Sequence, residues 1–233
     1  DVVDKVFMAS THDYLLCFTN KGRAYWLRVY DIPEGSRTAK GKAIVNLLNL
    51  TDEDVSAVIP LRSFDSDKYF LYATKSGRIG KFSQDLFSRP RAGGIIGMTL
   101  LDGDELVDVV MTNGKSDVVL TTAYGQSLRF SEEEVRATGR GSQGVIGIKM
   151  KYEEDRVCGL TLVDEKAKYL FLLTDKGFGK RTLFDEFMGH GRATQGVRAI
   201  TANFERGPVV SAVAVSDEDD VVVTTAGGMN VSL

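Results

Sequence analysis

"GRGSQGVIGI", residues 139–148, and "GRATQGVRAI", residues 191–200, are two copies of one phrase: an Arg, three small or polar residues, a Gly and an apolar run. Outward from them, Arg-x-x-x-Gly recurs as Arg37–Gly41, Arg89–Gly93, Arg140–Gly144 and Arg192–Gly196, with intervals of 52, 51 and 52 residues between the arginines. A second phrase, Thr-x-x-Gly, keeps step at Thr19–Gly22, Thr74–Gly77, Thr122–Gly125, Thr174–Gly177 and Thr225–Gly228. A third is an acidic turn running into an apolar strand: "DEDVSAVIPL", "DGDELVDVVM", "EEDRVCGLTLV" and "ERGPVVSAVAV". The opening "DVVDKVFMA" reads as one more copy. Self-similarity at a fixed period outranks any single motif as evidence of fold.

Each unit reads alike. An apolar strand ("YLLCFT", "YFLYAT", "VVLTT", "LFLLT", "VVVTT") enters a short turn ending in Gly, as a hairpin needing positive φ requires. A second strand leaves the turn. A polar stretch follows ("SQDLF", "LFDEF"), then the Arg-x-x-x-Gly loop and a third strand, and the acidic turn and a fourth strand close the unit. β-Branched and aromatic residues fill the strands, and the only helix candidates are the short "SEEEV" and "LFDEF". Four strands per unit at this period predict an all-β, propeller-like array. It is expected to form a single domain over residues 1–233, with about five blades, or four plus partial ends.

Composition narrows the function. The formal charge is −3, 43% of residues are hydrophobic, and Gly is abundant at 24 while Pro is scarce at 4, so tight turns join a well-filled core. The apolar runs fall far short of the roughly 20 residues that span a membrane. "DVVDKVF" lacks the basic and apolar regions of a signal peptide. Cys17 and Cys158 lie in apolar strand-like runs and are expected to be reduced core residues of a cytosolic protein. His12 and His190 have no metal-ligand spacing. "GKSDVVLTT" lacks the glycine upstream that a phosphate-binding loop requires. Asp102 and Asp104 read as a hairpin turn, and Trp26 as packing. No metal, cofactor or catalytic residue is expected.

Charge is segregated along the repeat. Basic residues gather around the Arg-x-x-x-Gly loops: Arg37, Lys40 and Lys42; Arg89 and Arg91; Arg136 and Arg140; Arg192 and Arg198. The strand after each Thr-x-x-Gly turn adds Arg23 and Arg28, Arg78 and Lys81, Arg129, Lys180 and Arg181. Acids collect in the "TDED", "DGDE", "YEED" and "SDEDD" turns. One edge should be basic and another acidic. Glycine lets a backbone approach closely, and Arg forks onto phosphate oxygens. Such loops at fixed angular steps predict a track for a curved polyanion, contacted through its backbone.

"THDYLLCFTNKGRAYWLRVYDIPEGSRTAKGKAIVNLL" resembles a blade of the C-terminal domain of the DNA gyrase A subunit. "DGDELVDVVMT", "LTDKGFGKRTLFDEF" and "GRATQGVRAI" resemble its later blades. The resemblance covers essentially the whole chain. It implies a β-pinwheel, with a strand order unlike a propeller's, and double-stranded DNA wrapped on a basic outer rim. It also implies two partners in ATP-driven supercoiling: the gyrase B subunit, plus the remaining domains of the A subunit. The setting implied is the cytoplasm and the nucleoid, without catalysis by this chain. The family's Gln-Arg-Arg-Gly-Gly-Lys-Gly box is missing; "SRTAKGK", residues 36–42, is a degenerate relative. The chain is therefore expected to lack the first blade and to end inside the last. The alternatives are a protein-binding propeller, a propeller enzyme and the related C-terminal domain of topoisomerase IV.

Overall fold

The first four Thr-x-x-Gly phrases each close a hairpin in the computed structural model, which describes residues 9–32, 44–218, 222–224 and 230–232. The turns join β1 (Tyr14–Thr19) to β2 (Arg23–Arg28), β4 (Tyr69–Thr74) to β5 (Arg78–Ser83), β8 (Asp117–Thr122) to β9 (Gln126–Ser131) and β12 (Tyr169–Thr174) to β13 (Gly179–Leu183). In every one the Gly amide donates to the Thr carbonyl, at 3.0–3.1 Å. The buried Thr hydroxyl accepts from the amide of the residue after the Gly, at 3.1–3.2 Å. The four glycines have φ of +85°, +98°, +93° and +86°, which L side chains adopt only at a cost.

The inner partner of each hairpin is the strand after an acidic turn: β3 (Val55–Leu61), β7 (Leu106–Thr112), β11 (Val157–Leu162) and β15 (Val209–Val215). These four pack on one another in succession and so lie towards the axis. The outermost strands have two residues each: β6 (Ile95–Ile96), β10 (Val145–Ile146) and β14 (Val197–Arg198). The blades run β3-β1-β2-β6, β7-β4-β5-β10, β11-β8-β9-β14 and β15-β12-β13, beside a separate pair, β16 (Val222–Thr224) with β17 (Asn230–Ser232). The all-β array of four-stranded blades expected from the repeat is present. The opening copy and Thr225–Gly228 lie outside the described residues.

One expectation is overturned. The short strands after the Arg89, Arg140 and Arg192 loops do not join their own units but cross to the preceding blades. Ile96 pairs with Arg23, Ile146 with Arg78 and Arg198 with Gln126. The next two amides then converge on the hairpin glycine, Gly97 and Met98 on the Gly22 carbonyl at 2.8 and 3.3 Å, with Gly77 and Gly125 receiving the same pair. The repeat also slips once. Strand register makes Gly94, not Gly93, the counterpart of Gly144 and Gly196, with φ of +71°, +71° and +68°. Pro90 thus stands where Arg140 and Arg192 stand. "SEEEV" and "LFDEF" form 3-10 turns rather than α-helices, and a short helix, Ile44–Leu48, follows the first loop where the others continue as strand.

The core lies between blades. Phe18 of the first blade meets Phe70 and Phe87 of the second edge-on, at centroid distances of 5.9 and 5.4 Å. Leu71 and Ile79 pack with Leu120, Leu128 and Phe130, and Val119 packs with Leu170, Leu172 and Phe184. The first hairpin strands are sandwiched on both faces, which is why they read as unbroken apolar runs. Burial pushes both thiols up to about 12, and both cysteines are free.

One strand position also bolts each blade to the next. Trp26, Lys81 and Arg129 lie opposite Leu16, Leu71 and Val119, in equivalent places. Trp26 donates to the Phe87 carbonyl at 2.9 Å, Lys81 to the Glu132 carbonyl at 2.9 Å, and Arg129 to the Phe184 carbonyl at 2.8 Å. Each acceptor lies in the 3-10 turn of the following blade. Lys81 also faces the buried Glu132 carboxylate at 3.5 Å, which accepts from the Thr112 hydroxyl and the Ser116 amide.

Two stability tests follow. Gly125 and Gly177 share a positive φ, but a Cβ at Gly125 would lie 2.2 Å from the Ile200 carbonyl oxygen, while one at Gly177 meets nothing within 4 Å. Urea unfolding should show Gly177→Ala costing about 1 kcal/mol and Gly125→Ala at least about 1–2 kcal/mol more. Lys81→Met strands the Glu132 carboxylate and should cost about 3–5 kcal/mol. Adding Glu132→Gln should restore part of that loss.

Candidate nucleic-acid interface

The loops of Arg89, Arg140 and Arg192 lie along the outer edge because the strands they lead into, β6, β10 and β14, are the outermost of their blades. Their backbone clamps loop onto loop. Arg140 donates from Nη1 to the Ile96 carbonyl at 3.2 Å, and Arg192 does the same to Ile146 at 2.7 Å. Around each arginine the main chain repeats the tie: Gly141 donates to Gly97 and Ala193 to Gly147, while Thr99 donates to Ser142 and Lys149 to Thr194. Ala193 sits at φ +68° to make this contact, in the place of Gly141. The loop arginines therefore hold the blade spacing with one nitrogen. Arg192 Nε is buried without a partner among the described residues.

The sixteen cations picked from the sequence divide by position. Arg37, Lys40 and Lys42 lie outside the described residues. Four are committed to blade junctions. Arg23 donates to the Gly93 carbonyl at 2.8 Å, and Arg78 to the carbonyls of Gln143 and Gly144 at 2.8 and 2.7 Å. Arg129 is bound to Asp117 and Phe184. Lys81 is buried and paired with Glu132, so it is not a rim cation: its ammonium is inside a junction, out of reach of a polyanion.

The others face solvent. Arg89, Arg91, Arg136, Arg140, Lys180, Arg181 and Arg198 are exposed, and Arg192 is half-buried. Arg28, Asp31 and Arg91 line a cleft of about 250 Å³ between the first blade and the 89–94 loop. Arg28 stacks near Tyr14 and Tyr30, at 5.4 and 5.9 Å from the ring centroids. Arg181 lies 4.1 Å over the Tyr169 ring and 3.8 Å from Asp217. Among the described residues the side chains of Arg89, Arg91, Arg136, Lys180 and Arg198 have no hydrogen-bond or ion-pair partner.

Lys149, which the sequence reading passed over, is exposed on the same edge, its amide part of the loop ladder. The signal was available in "IKMK", immediately after a donated strand. His190 is exposed in the 190–192 loop.

The acids lie mostly elsewhere, capping the hairpin turns. Glu53 accepts from Thr19, Asp104 from Ser76, Glu105 from Asn20, and Asp155 from the Tyr124 amide. Hydrogen bonds from Lys75 and Asn20 hold the Glu105 carboxyl below its usual range. Glu134 and Asp217 stand among the edge cations, Glu134 accepting from the Arg192 amide at 3.2 Å and Asp217 lying 3.8 Å from Arg181. Among the described residues no three His, Cys, Asp or Glu side chains gather as a metal site, and no helix is long and apolar enough to cross a membrane. The edge can therefore offer a row of guanidinium and ammonium groups to a polyanion, with glycines that keep the backbone low.

A family model described as the DNA gyrase C-terminal domain, β-propeller, matches residues 13–62, 68–113, 116–163 and 168–224, one segment for each successive unit. The DNA gyrase A subunit of Salmonella typhimurium (strain LT2) is 43% identical over 229 residues, which cover 98% of this chain and 26% of that protein. The gyrase A subunit of Chlamydia muridarum is 40% identical over 236 residues, covering 100% of this chain and 28% of that protein. The chain thus spans about a quarter of the length of these relatives. Among solved structures, the C-terminal domain of DNA topoisomerase IV superposes with a TM-score of 0.85 at 28% identity, over 96% of this chain and 70% of the other. The DNA gyrase A C-terminal domain superposes with a TM-score of 0.80, also at 28% identity, over 96% and 73%.

Proposed function

The chain belongs to the family of DNA gyrase C-terminal domains, and we propose that it binds duplex DNA on its outer edge and bends it, without reading sequence. It does so as the single DNA-wrapping unit of a gyrase A subunit. Its partners are the other domains of that polypeptide, together with the gyrase B subunit, in the bacterial cytoplasm. Strand cleavage and ATP hydrolysis fall to those other parts, and this chain's share is to present a bent DNA segment for directional supercoiling.

The observation that carries this reading is the run of exposed cations without carboxylate partners on one edge: Arg89 and Arg91, Arg136 and Arg140, then Arg198. Cations held to a neighbouring carboxylate would have to break that pair before reaching phosphate. These need only shed water. Glycine at positive φ beside them keeps bulk away from the approaching backbone. Bending a duplex by 40–90° costs on the order of 1–6 kcal/mol, so contacts at successive blades are needed to offset it.

Phosphate neutralisation releases counterions, so affinity should fall steeply with salt and change little with base sequence. About six engaged cations give a log–log slope near −5. Anisotropy titrations from low to high salt measure this; a flat response, or strong preference for one sequence, refutes the reading.

Changing Arg89 and Arg91 together to Ala should lower the slope by about 2. Energy transfer between the ends of a long duplex should report a larger loss of bending than of affinity for a short one. An unchanged bend and slope would remove the 89–94 loop from the DNA path.

A further inference from the structure

The second residue of each donated strand holds one place on the edge, occupied by Ile96, Ile146 and Arg198 in successive blades. Ile96 is 55% exposed and Ile146 42%, large values for isoleucines between cationic loops. Their carbonyls are the ones gripped by Arg140 and Arg192, so each side chain is locked beside a loop cation. In the third blade the same place presents a guanidinium, and it has no partner among the described residues.

The surroundings change in the same direction. A cleft lies beside this residue in the first blade and again in the third. The first, about 320 Å³, is lined by Lys21, Arg23 and Thr99, but Asp104 stands in its wall and Arg23 is already committed to Gly93. The second, about 540 Å³, is lined by Lys151, Tyr152, Thr201 and Asn203 beside Arg198, with no carboxylate among its described lining.

We infer that this strand position sets how tightly each blade grips a DNA phosphate, and that the third blade is the anchor of the path. Arg198 and Lys151 bind phosphate oxygens at the larger cleft, while Ile96 and Ile146 give their blades only apolar contact with the sugars. Opposite charge in a cleft free of acid favours the anion, whereas Asp104 repels it from the first blade. The inference rests on the reading of the edge as a duplex-binding surface.

The test uses the full chain and a duplex long enough to reach three blades, with anisotropy followed from low to high salt and folding checked by circular dichroism. Arg198→Ile should weaken binding by about threefold or more across that range and lower the salt slope by about 1. Arg198→Lys should keep the slope. Ile146→Arg should raise it by about 1 and tighten binding. If the unaltered chain binds with a steep slope but Arg198→Ile changes neither affinity nor slope, only this inference falls. Loss in Arg198→Ile without gain in Ile146→Arg overturns it too, since the strand position is then not what sets the grip. No salt-dependent binding by the unaltered chain overturns both it and the proposed function.

Discussion

The contact on which the rest depends is the close approach of a donated backbone to a hairpin glycine. At Gly22, Gly77 and Gly125 the carbonyl oxygen of Met98, Ile148 or Ile200 lies where a Cβ would stand, within 2.6 Å. Only glycine permits that approach, and only a positive φ turns the hairpin so that its carbonyl meets two incoming amides. Among the described residues, each of the first three blades is completed by the chain of the following unit. A blade's stability is therefore shared with its neighbour, and the array behaves as a set of nearest-neighbour couplings. Gly177 has the same conformation and nothing above it among the described residues, so its φ belongs to the turn and its clearance to the exchange.

Arginine serves two purposes in this fold, separated by geometry. Near the hairpin turns, Arg23 and Arg78 spend their donors on carbonyls of the incoming loop, and Arg129 bridges to the next blade. Their planar forks suit several fixed acceptors at once, which a lysine could not match. On the outer edge, Arg140 and Arg192 each give one nitrogen to the neighbouring strand; Arg140 is otherwise exposed, while Arg192 is half-buried with its Nε covered. A ligand bound there is attached to groups that also set blade spacing. The edge that would meet DNA is thus a ladder of fixed positions rather than a fringe of loose side chains.

Lys81 shows why charge alone misleads. In sequence it stands in the same kind of strand as Arg28 or Arg181 and is equally basic. Its position is that of Trp26, whose indole makes the corresponding bond to the next blade. An ammonium there is sustained by Glu132, which is itself supplied with three donors. Local sequence holds no record of that partner, because the two residues meet only when two blades close on each other.

The sequence by itself determined the repeat, the hairpins, the all-β class, the basic loops and the family. Hairpin chemistry is local: Thr, two turn residues and Gly satisfy one another within five residues, so the pattern survives in the string. The tertiary structure alone decided which blade receives each donated strand, where the second loop slips from register so that Pro90 takes the arginine's place, and which cations remain for a ligand. Those outcomes depend on carbonyls contributed by a neighbouring unit some seventy residues away, as between Arg23 and Gly93. Only packing brings such groups within hydrogen-bond reach.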